Sequence, residues 1–440
     1  MEIQPFTGYR YNLDKIGQLD DLVAPPYDVI DGKLQDELYA RHTNNVIRLI
    51  LNRIFPTDGA EDNRYVRAAK MLSDWVDEEI LVKDNRPSIY VYHQTFEFEG
   101  QTIVRKGFMC RCLAVPFGYG MVYPHEVTMS GPKLDRLMLT TACKMNFSQV
   151  FGIYPDESNG IQNRLDEAVD RSNISPLTAT DHLGVQHKMW VLDDPAAIEA
   201  AVKGMEGKPI FIADGHHRYE TACNYRRQID DMGLLHSSHP ANYVLMVCVA
   251  MNDSGLIVMP THRLFTGIPH ITREVLKSKL DGYFELEEVG DGVEVADSVW
   301  ERVKSADGQD VIGLFTAKDN KWHLTKITAT GKELMDKVAS EHDQEWRELG
   351  VSLLHRLIIE TLIGLPEPPK PCYVHLIDEL VGEFKTNPEA YQLAAIVQPA
   401  NVNQIKNLCL LNDRMPAKST YFYPKLIAGF VFNPLDEKML

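Results

Sequence analysis

Asp214-Gly215-His216-His217-Arg218 places a carboxylate, two imidazoles and a guanidinium within five consecutive residues. An apolar run over 209–213 predicts a buried strand, which Asp214-Gly215 breaks. From His216 the spacing of Tyr219, Ala222 and Tyr225 predicts a helix with one apolar stripe. A glycine turn between strand and helix leaves the first N–H groups of the helix without intrahelical partners, and the helix dipole adds positive charge there. Anions bind at such starts. Arg218 adds a planar fork that can grip a phosphate through two parallel hydrogen bonds. The chemistry expected of Gly215, His216, His217 and Arg218 is therefore phosphate binding. The plainer alternative is a joint whose polar residues only cap and solvate the turn, with His217 and Arg218 paired to acids.

Four further stretches carry chemistry. Tyr123-Pro124-His125-Glu126 sets an imidazole beside a carboxylate. Phosphoryl transfer to a hydroxyl needs a carboxylate to orient the attacking oxygen and accept its proton. Glu126 and Asp214 both qualify, with His216 next to Asp214 in the catalytic set; the alternative for Glu126 is a loop acid paired to a basic neighbour. Gly131-Pro132-Lys133-Leu134-Asp135-Arg136 opens a predicted helix with proline in its first turn and Leu134, Leu137 and Met138 facing inward. Cations there oppose the dipole unless an anion joins them, which makes Lys133 and Arg136 candidates for a phosphate or a substrate carboxylate; a solvated helix start is the alternative. Thr261-His262-Arg263 is read as following a strand end at Pro260, where α/β ligands gather, against a purely structural histidine. Lys418-Ser419-Thr420 offers a cation and two hydroxyls in a turn, either wrapping a phosphate or capping a strand at 421–423. No G-x-x-x-x-G precedes it, so it is not a Walker A loop. Asp28, after Pro25-Pro26, reads as a helix N-cap before it reads as a metal ligand. No Cys pair or H-E-x-x-H supports zinc, and no G-x-S-x-G supports a serine hydrolase. No metal ligand set is assigned.

The elements that must position these residues alternate between helix and strand. Helices are expected at 32–42, 61–79, 195–205, 271–280, 293–304, 351–363 and 401–411. Strands are expected at 88–97 and 102–115, joined as an antiparallel hairpin through Glu99-Gly100-Gln101, and at 149–154, 186–192, 242–251, 284–289, 311–317, 322–328 and 391–397. A further hairpin is expected across Asp253-Ser254-Gly255. Pro366 to Pro371 reads as a stiff linker. The fold class is α/β, mixed with α+β character and largely antiparallel or mixed sheets. A catalytic portion over 1–269 is followed by a smaller α/β portion over 270–440, whose C-terminal tail is expected to return to the site.

The chain has 440 residues, a net charge of −17, 44% hydrophobic and 24% charged residues. This length calls for two or three domains and suits a soluble enzyme. The acidic balance argues against nucleic acid as a partner, because cations drive that binding. Seven scattered cysteines without a C-x-x-C point to reduced thiols in a cytoplasm, each expected to pack as a small apolar group. Cys110 and Cys112 alternate on a strand and share a face. No signal segment or membrane-length apolar run is seen.

The string ADGHHRYETA resembles the signature of the ParB/sulfiredoxin-like superfamily, in which a strand–G-x-H-R–helix turn holds nucleotide phosphates. Free-serine kinases share Asp-Gly-His-His-Arg. Over nearly its whole length the chain resembles the domain-of-unknown-function 1015 family. The marks are Val23-Ala-Pro-Pro-Tyr-Asp-Val29, Pro124-His-Glu126, Gly131 to Arg136, Asp214 to Arg218, Pro260-Thr-His-Arg263, and Met415 to Lys425. The resemblance implies a ParB/sulfiredoxin-like catalytic portion. It also implies an enzyme using ATP or ADP with Mg2+ to phosphorylate a small hydroxylated metabolite such as free serine. In that reading Lys418, Ser419, Thr420, His262 and Arg263 join the phosphate-binding set, and the partners are a small-molecule substrate and a nucleotide, without a membrane; a homo-oligomer is compatible with it. The alternatives are a nucleotide-driven switch with little turnover, and a metabolite binder that uses no nucleotide.

Overall fold

The computed structural model describes residues 1–126 and 130–439. Of these, 1–124, 130–257 and 424–439 form one compact unit, and 125–126 with 258–423 form another. Both are mixed helix and sheet.

The first unit is built on a nine-stranded sheet. Across it run Val122–Tyr123, Ile210–Asp214, Val150–Tyr154, Tyr243–Ala250, Gln101–Leu113, Ile89–Phe98, Gln186–Leu192 and Leu177–Thr180, with Ile3–Gln4 added to Gln101–Leu113. Ile210–Asp214 pairs parallel with Val122–Tyr123, and Tyr243–Ala250 pairs parallel with Val150–Tyr154. The expected hairpin forms, with Phe98 opposite Gln101. Its turn residues Glu99 and Gly100 both have positive φ, the geometry a two-residue connection needs to match strand twist. Every residue of Tyr243–Ala250 is buried, which is why that stretch reads as one continuous apolar run. The helices Gly160–Ser172, Pro195–Met205 and His216–Asp231 contribute Leu165, Ala201 and Tyr219 to a core shared with Phe108, Ile212 and Met246.

Three local expectations are corrected. In the helix Ser130–Cys143, Leu134 and Met138 are exposed, at 61% and 45%. The inward positions are Arg136, Leu139, Thr140 and Cys143, because the charged pairing of Arg136 sets the helix phase. No hairpin forms across Asp253-Ser254-Gly255. Asp253 accepts the Gly255 N–H in a local side-chain turn, and Ile257–Met259 lies outside the sheet that holds Tyr243–Ala250. Asp28 lies in the short 3-10 turn Tyr27–Val29, while Asp31 caps the helix Gly32–Arg41 by accepting from the Leu34 N–H at 2.8 Å.

The second unit carries a six-stranded antiparallel sheet. Its order is Phe284–Asp291, Lys321–Ile327, Val311–Thr316, Leu393–Ile396, His262–Phe265, Cys372–Val374. Val299, Phe315, Trp322, Leu380 and Ile396 form its core. His262 and Arg263 open a strand paired on both sides, rather than following a strand end. The expected helix at 351–363 is present, but from Leu353 to Ile363 it has the wide π-helical ladder, an unusually long stretch of a rare form. No helix among the described residues is long and apolar enough to cross a membrane.

Candidate functional site

In the first unit, the strand Ile210–Asp214 ends at Gly215 and the helix His216–Asp231 begins at once. Gly215 has φ of 89°, a left-handed conformation that glycine adopts without steric cost. A side chain there would also collide: a Cβ would lie 2.9 Å from Cζ, Nε and Nη2 of Arg218. The bare glycine lets the guanidinium fold back over the turn. Arg218 Nη2 then donates to Asp214 Oδ2 at 2.6 Å, Nη1 donates to the Gln149 carbonyl, and Nε is buried without a partner among the described residues. The other Asp214 oxygen accepts from Lys425 Nζ at 2.6 Å. Burial disfavours a charged Asp214, but Lys425, Arg218 and then His216 outweigh it and hold the carboxyl well below the usual carboxylate range. His216 is buried and His217 half-buried.

A second carboxylate of the same unit is treated alike. Asp135 accepts from Arg136 Nε at 2.8 Å, from the Tyr65 hydroxyl at 2.7 Å and from Arg64. Burial again opposes ionisation, and Arg136, Tyr65 and Arg64 together lower its pKa. Arg136 also stacks over the Tyr27 ring at 4.1 Å and donates to the Ile50 carbonyl at 2.6 Å. Arg136, Arg218, Tyr27 and Thr221 line one cavity of about 50 Å³. Burial pushes the Tyr27 phenol up to about 12, against the pull of both guanidiniums. Lys133 faces Glu220 at 3.5 Å. Asp214 and Asp135 are thus each shared by two cations, so each cluster keeps one positive charge in surplus.

The second unit holds the remaining candidates. Glu126 Oε1 accepts from the Ser419 N–H at 3.2 Å and the Thr420 hydroxyl at 3.4 Å, with His125 Nε2 at 3.8 Å. His125 Nε2 shares a 2.7 Å hydrogen bond with Thr420 Oγ1, and the His125 carbonyl accepts from the Met415 N–H at 2.8 Å. The 415–420 turn is therefore built around Glu126. Its Lys418 is exposed and has φ of 58°, strained for a residue with a side chain. Arg263 is fully buried and supports this turn by donating from Nη2 to the Lys418 carbonyl at 2.9 Å. Its Nε donates to His355 Nε2 at 3.1 Å and its Nη1 to the Thr261 carbonyl. Burial lowers the Arg263 pKa to about 10, so it stays charged at neutral pH. His262 is buried beside it; its Nδ1 accepts from the Val397 N–H at 3.4 Å and its Nε2 has no partner among the described residues.

The structure brings Arg218, Asp214 and Gly215 together and adds Lys425, which lies 211 residues from Asp214 and which the sequence reading did not single out. It also gave no role to Tyr27, Gln149 or Arg64. Tyr27 and Lys425 both fall inside stretches that carry the family resemblance.

The family model described as Protein of unknown function (DUF1015) matches residues 3–352. The chain belongs to that family. No curated protein matches it. Among solved structures, a free serine kinase in complex with AMP aligns over 73% of this chain and 90% of its own, at 11% identity and a TM-score of 0.33. SbnI with C-terminal truncation from Staphylococcus aureus aligns over 74% and 87%, at 10% identity and 0.34. A conserved hypothetical protein from Pyrococcus furiosus aligns over 69% and 90%, at 12% identity and 0.32.

The donor chemistry sets limits on any metal. Among the described residues, the one group of three or more His, Cys, Asp or Glu side chains converging as ligands is Cys110, Cys112 and Cys248. A hard cation such as Mg2+ wants oxygen ligands, and Asp214 and Asp135 already serve cations. Among the described residues no set of three carboxylate or imidazole ligands converges for such an ion.

Proposed function

We propose that this DUF1015 protein binds the phosphates of a nucleotide at the Gly215 turn and transfers a phosphoryl group to a small hydroxylated metabolite. The observation that carries the reading is the excess positive charge at the turn. In a chain of net charge −17, Arg218 and Arg136 line one small cavity, each shares a carboxylate with a second cation, and the buried Arg218 Nε has no acceptor among the described residues. A phosphate oxygen would complete that donor, next to a helix start that favours anions. Gly215, His216, His217 and Arg218 hold phosphate. Lys133 and Arg136 hold the anionic end of the substrate. ATP or ADP is the nucleotide, and Mg2+ bound to its phosphates would offset charge on the transferred group.

Of the two carboxylates, Glu126 is the better base. Asp214 is fixed between Lys425 and Arg218 and is a poor proton acceptor, whereas Glu126 is held by an amide, a hydroxyl and an imidazole. Ser419, Thr420, Lys418, His262 and Arg263 stand in this reading as the groups that shape and support the Glu126 turn, with Lys418 free to meet an anion. Free serine is one acceptor of the right class.

Calorimetry with ATP, ADP and pyrophosphate tests the phosphate role. Arg218→Ala is expected to weaken binding by roughly 1.5–3 kcal/mol, about ten- to a hundred-fold, while still folding cooperatively. Arg218→Lys restores part of this, since an ammonium lacks the planar fork. Equal affinities in wild type and Arg218→Ala would remove phosphate from this turn. Mass spectrometry of hydroxyl acceptors incubated with ATP or ADP then tests transfer.

A further inference from the structure

Three fully buried thiols of the first unit form a cluster that the phosphate chemistry does not use. Cys110 and Cys112 sit two residues apart on Gln101–Leu113, so the strand's two-residue period turns both to one face. Cys248 lies on the neighbouring strand Tyr243–Ala250, where the register sets Val244 opposite Cys112, Met246 opposite Cys110 and Cys248 opposite Phe108. Cys248 therefore shares the face of the other two. All three have 0% exposure, within a core that also holds Val150, Leu165 and Met205. Cys110 Sγ lies 3.8 Å from Cys112 Sγ and 4.0 Å from Cys248 Sγ, and the three sulfurs lie within 4.8 Å of one another.

These separations have a specific meaning. A metal–sulfur bond of about 2.3 Å spaces its ligands by ~4.0 Å in a trigonal site and ~3.8 Å in a tetrahedral one. Two of the three sulfur separations are already at ligand spacing, and the third is no more than 4.8 Å. A disulfide fits less well. Residues two apart on a strand have Cα atoms ~6.6–6.8 Å apart, at the far limit for that bond, and diagonal neighbours such as Cys110 and Cys248 lie at ~7–8 Å, beyond it. The Tyr154 hydroxyl, in the same core, is buried and has no hydrogen-bond partner among the described residues.

We propose that Cys110, Cys112 and Cys248 form a trigonal three-sulfur site for a soft monovalent ion, Cu(I). Thiolate sulfur selects soft ions, and zinc would want a fourth ligand, which no His, Cys, Asp or Glu of the described residues supplies. Binding forms Cu–S bonds without electron transfer, and each thiol that becomes a thiolate ligand releases its proton to solvent.

Because the site is sealed, copper must enter before the core closes. The full chain is therefore produced in copper-supplemented cells, purified without oxygen and challenged with a Cu(I) chelator. The expected result is one retained copper per chain, with three sulfur neighbours by X-ray absorption. Cys110→Ser and Cys248→Ser should fall to background, while Cys143→Ser, outside the cluster, retains the metal. If the serine variants do not fold, the wild-type absorption spectrum decides alone. Loss of copper to the chelator, a centre with fewer than three sulfurs, or zinc retained in its place would overturn the proposal.

Discussion

Asp214 and Glu126 are both partly buried carboxylates in segments with a nearby histidine, yet their surroundings differ in kind. Asp214 is held by two cations at 2.6 Å each. Glu126 is held by the Ser419 amide and the Thr420 hydroxyl, with an imidazole at 3.8 Å. Cations stabilise a carboxylate by making its proton hard to restore, while neutral donors orient it at smaller cost to its basicity. The same side-chain chemistry is thus set between two cations in one unit and among an amide, a hydroxyl and an imidazole in the other, and the proposed division of roles rests on that difference.

The sharpest way to break this comparison is to neutralise each carboxylate. Glu126→Gln keeps the shape and should lower kcat by ~10²-fold or more, the scale of a lost general base, with nucleotide affinity nearly unchanged. Steady-state kinetics alongside calorimetry checks it, and a kcat close to wild type would return the base to Asp214. Lys425→Met tests the strut. Removing one partner of a buried pair should cost about 3 kcal/mol at neutral pH. The sign with pH follows from the depressed Asp214 pKa. The ion pair stabilises fully above the ordinary aspartate value of ~3.9 and fades as pH falls through the lower folded value. Urea unfolding of wild type and Lys425→Met should therefore converge in strong acid.

Smaller effects test the two turns. Gly215→Ala forces a side chain into a left-handed backbone and against the Arg218 guanidinium, which Asp214 and Gln149 hold in place. It should destabilise by about 1–2 kcal/mol and weaken pyrophosphate binding as well, measured by melting and calorimetry. Lys418→Gly should do the reverse to stability. Relief of its positive φ should add roughly 0.5–1 kcal/mol, read in the same unfolding assay. No gain would mean that the Glu126 turn stores no strain.

Much of the first unit was legible because its signals are local. The apolar run and Gly215 mark the strand–turn–helix joint, and the spacing of Tyr219, Ala222 and Tyr225 gives the buried stripe that the helix shows. The Glu99-Gly100 hairpin is equally local. What sequence could not show are pairings made by tertiary structure. Lys425 meets Asp214 across 211 residues, and the Glu126 turn closes across 293 to Ser419. Periodicity also misled at Leu134 and Met138, where a buried Arg136 with its own partners overrode the apolar positions. Arg263 reads in the sequence as a ligand-binding cation after a strand end, whereas its burial inside a strand depends on a carbonyl and an imidazole brought in by other elements.

That buried arginine has a consequence for acid tolerance. His262 and His355 flank it, and burial, reinforced by the Arg263 charge and for His262 by His375, pushes both imidazoles down to about 3. Unfolded, each would titrate near ~6.5. Between those values the unfolded chain takes up protons that the folded unit refuses, so acidification drains stability at about 2–3 kcal/mol per pH unit once both unfolded rings are charged. The pair acts as an acid fuse: electrically silent while the unit is folded, and favouring collapse of the Arg263 support at a mildly acidic pH where the Asp214 ion pairs are still intact.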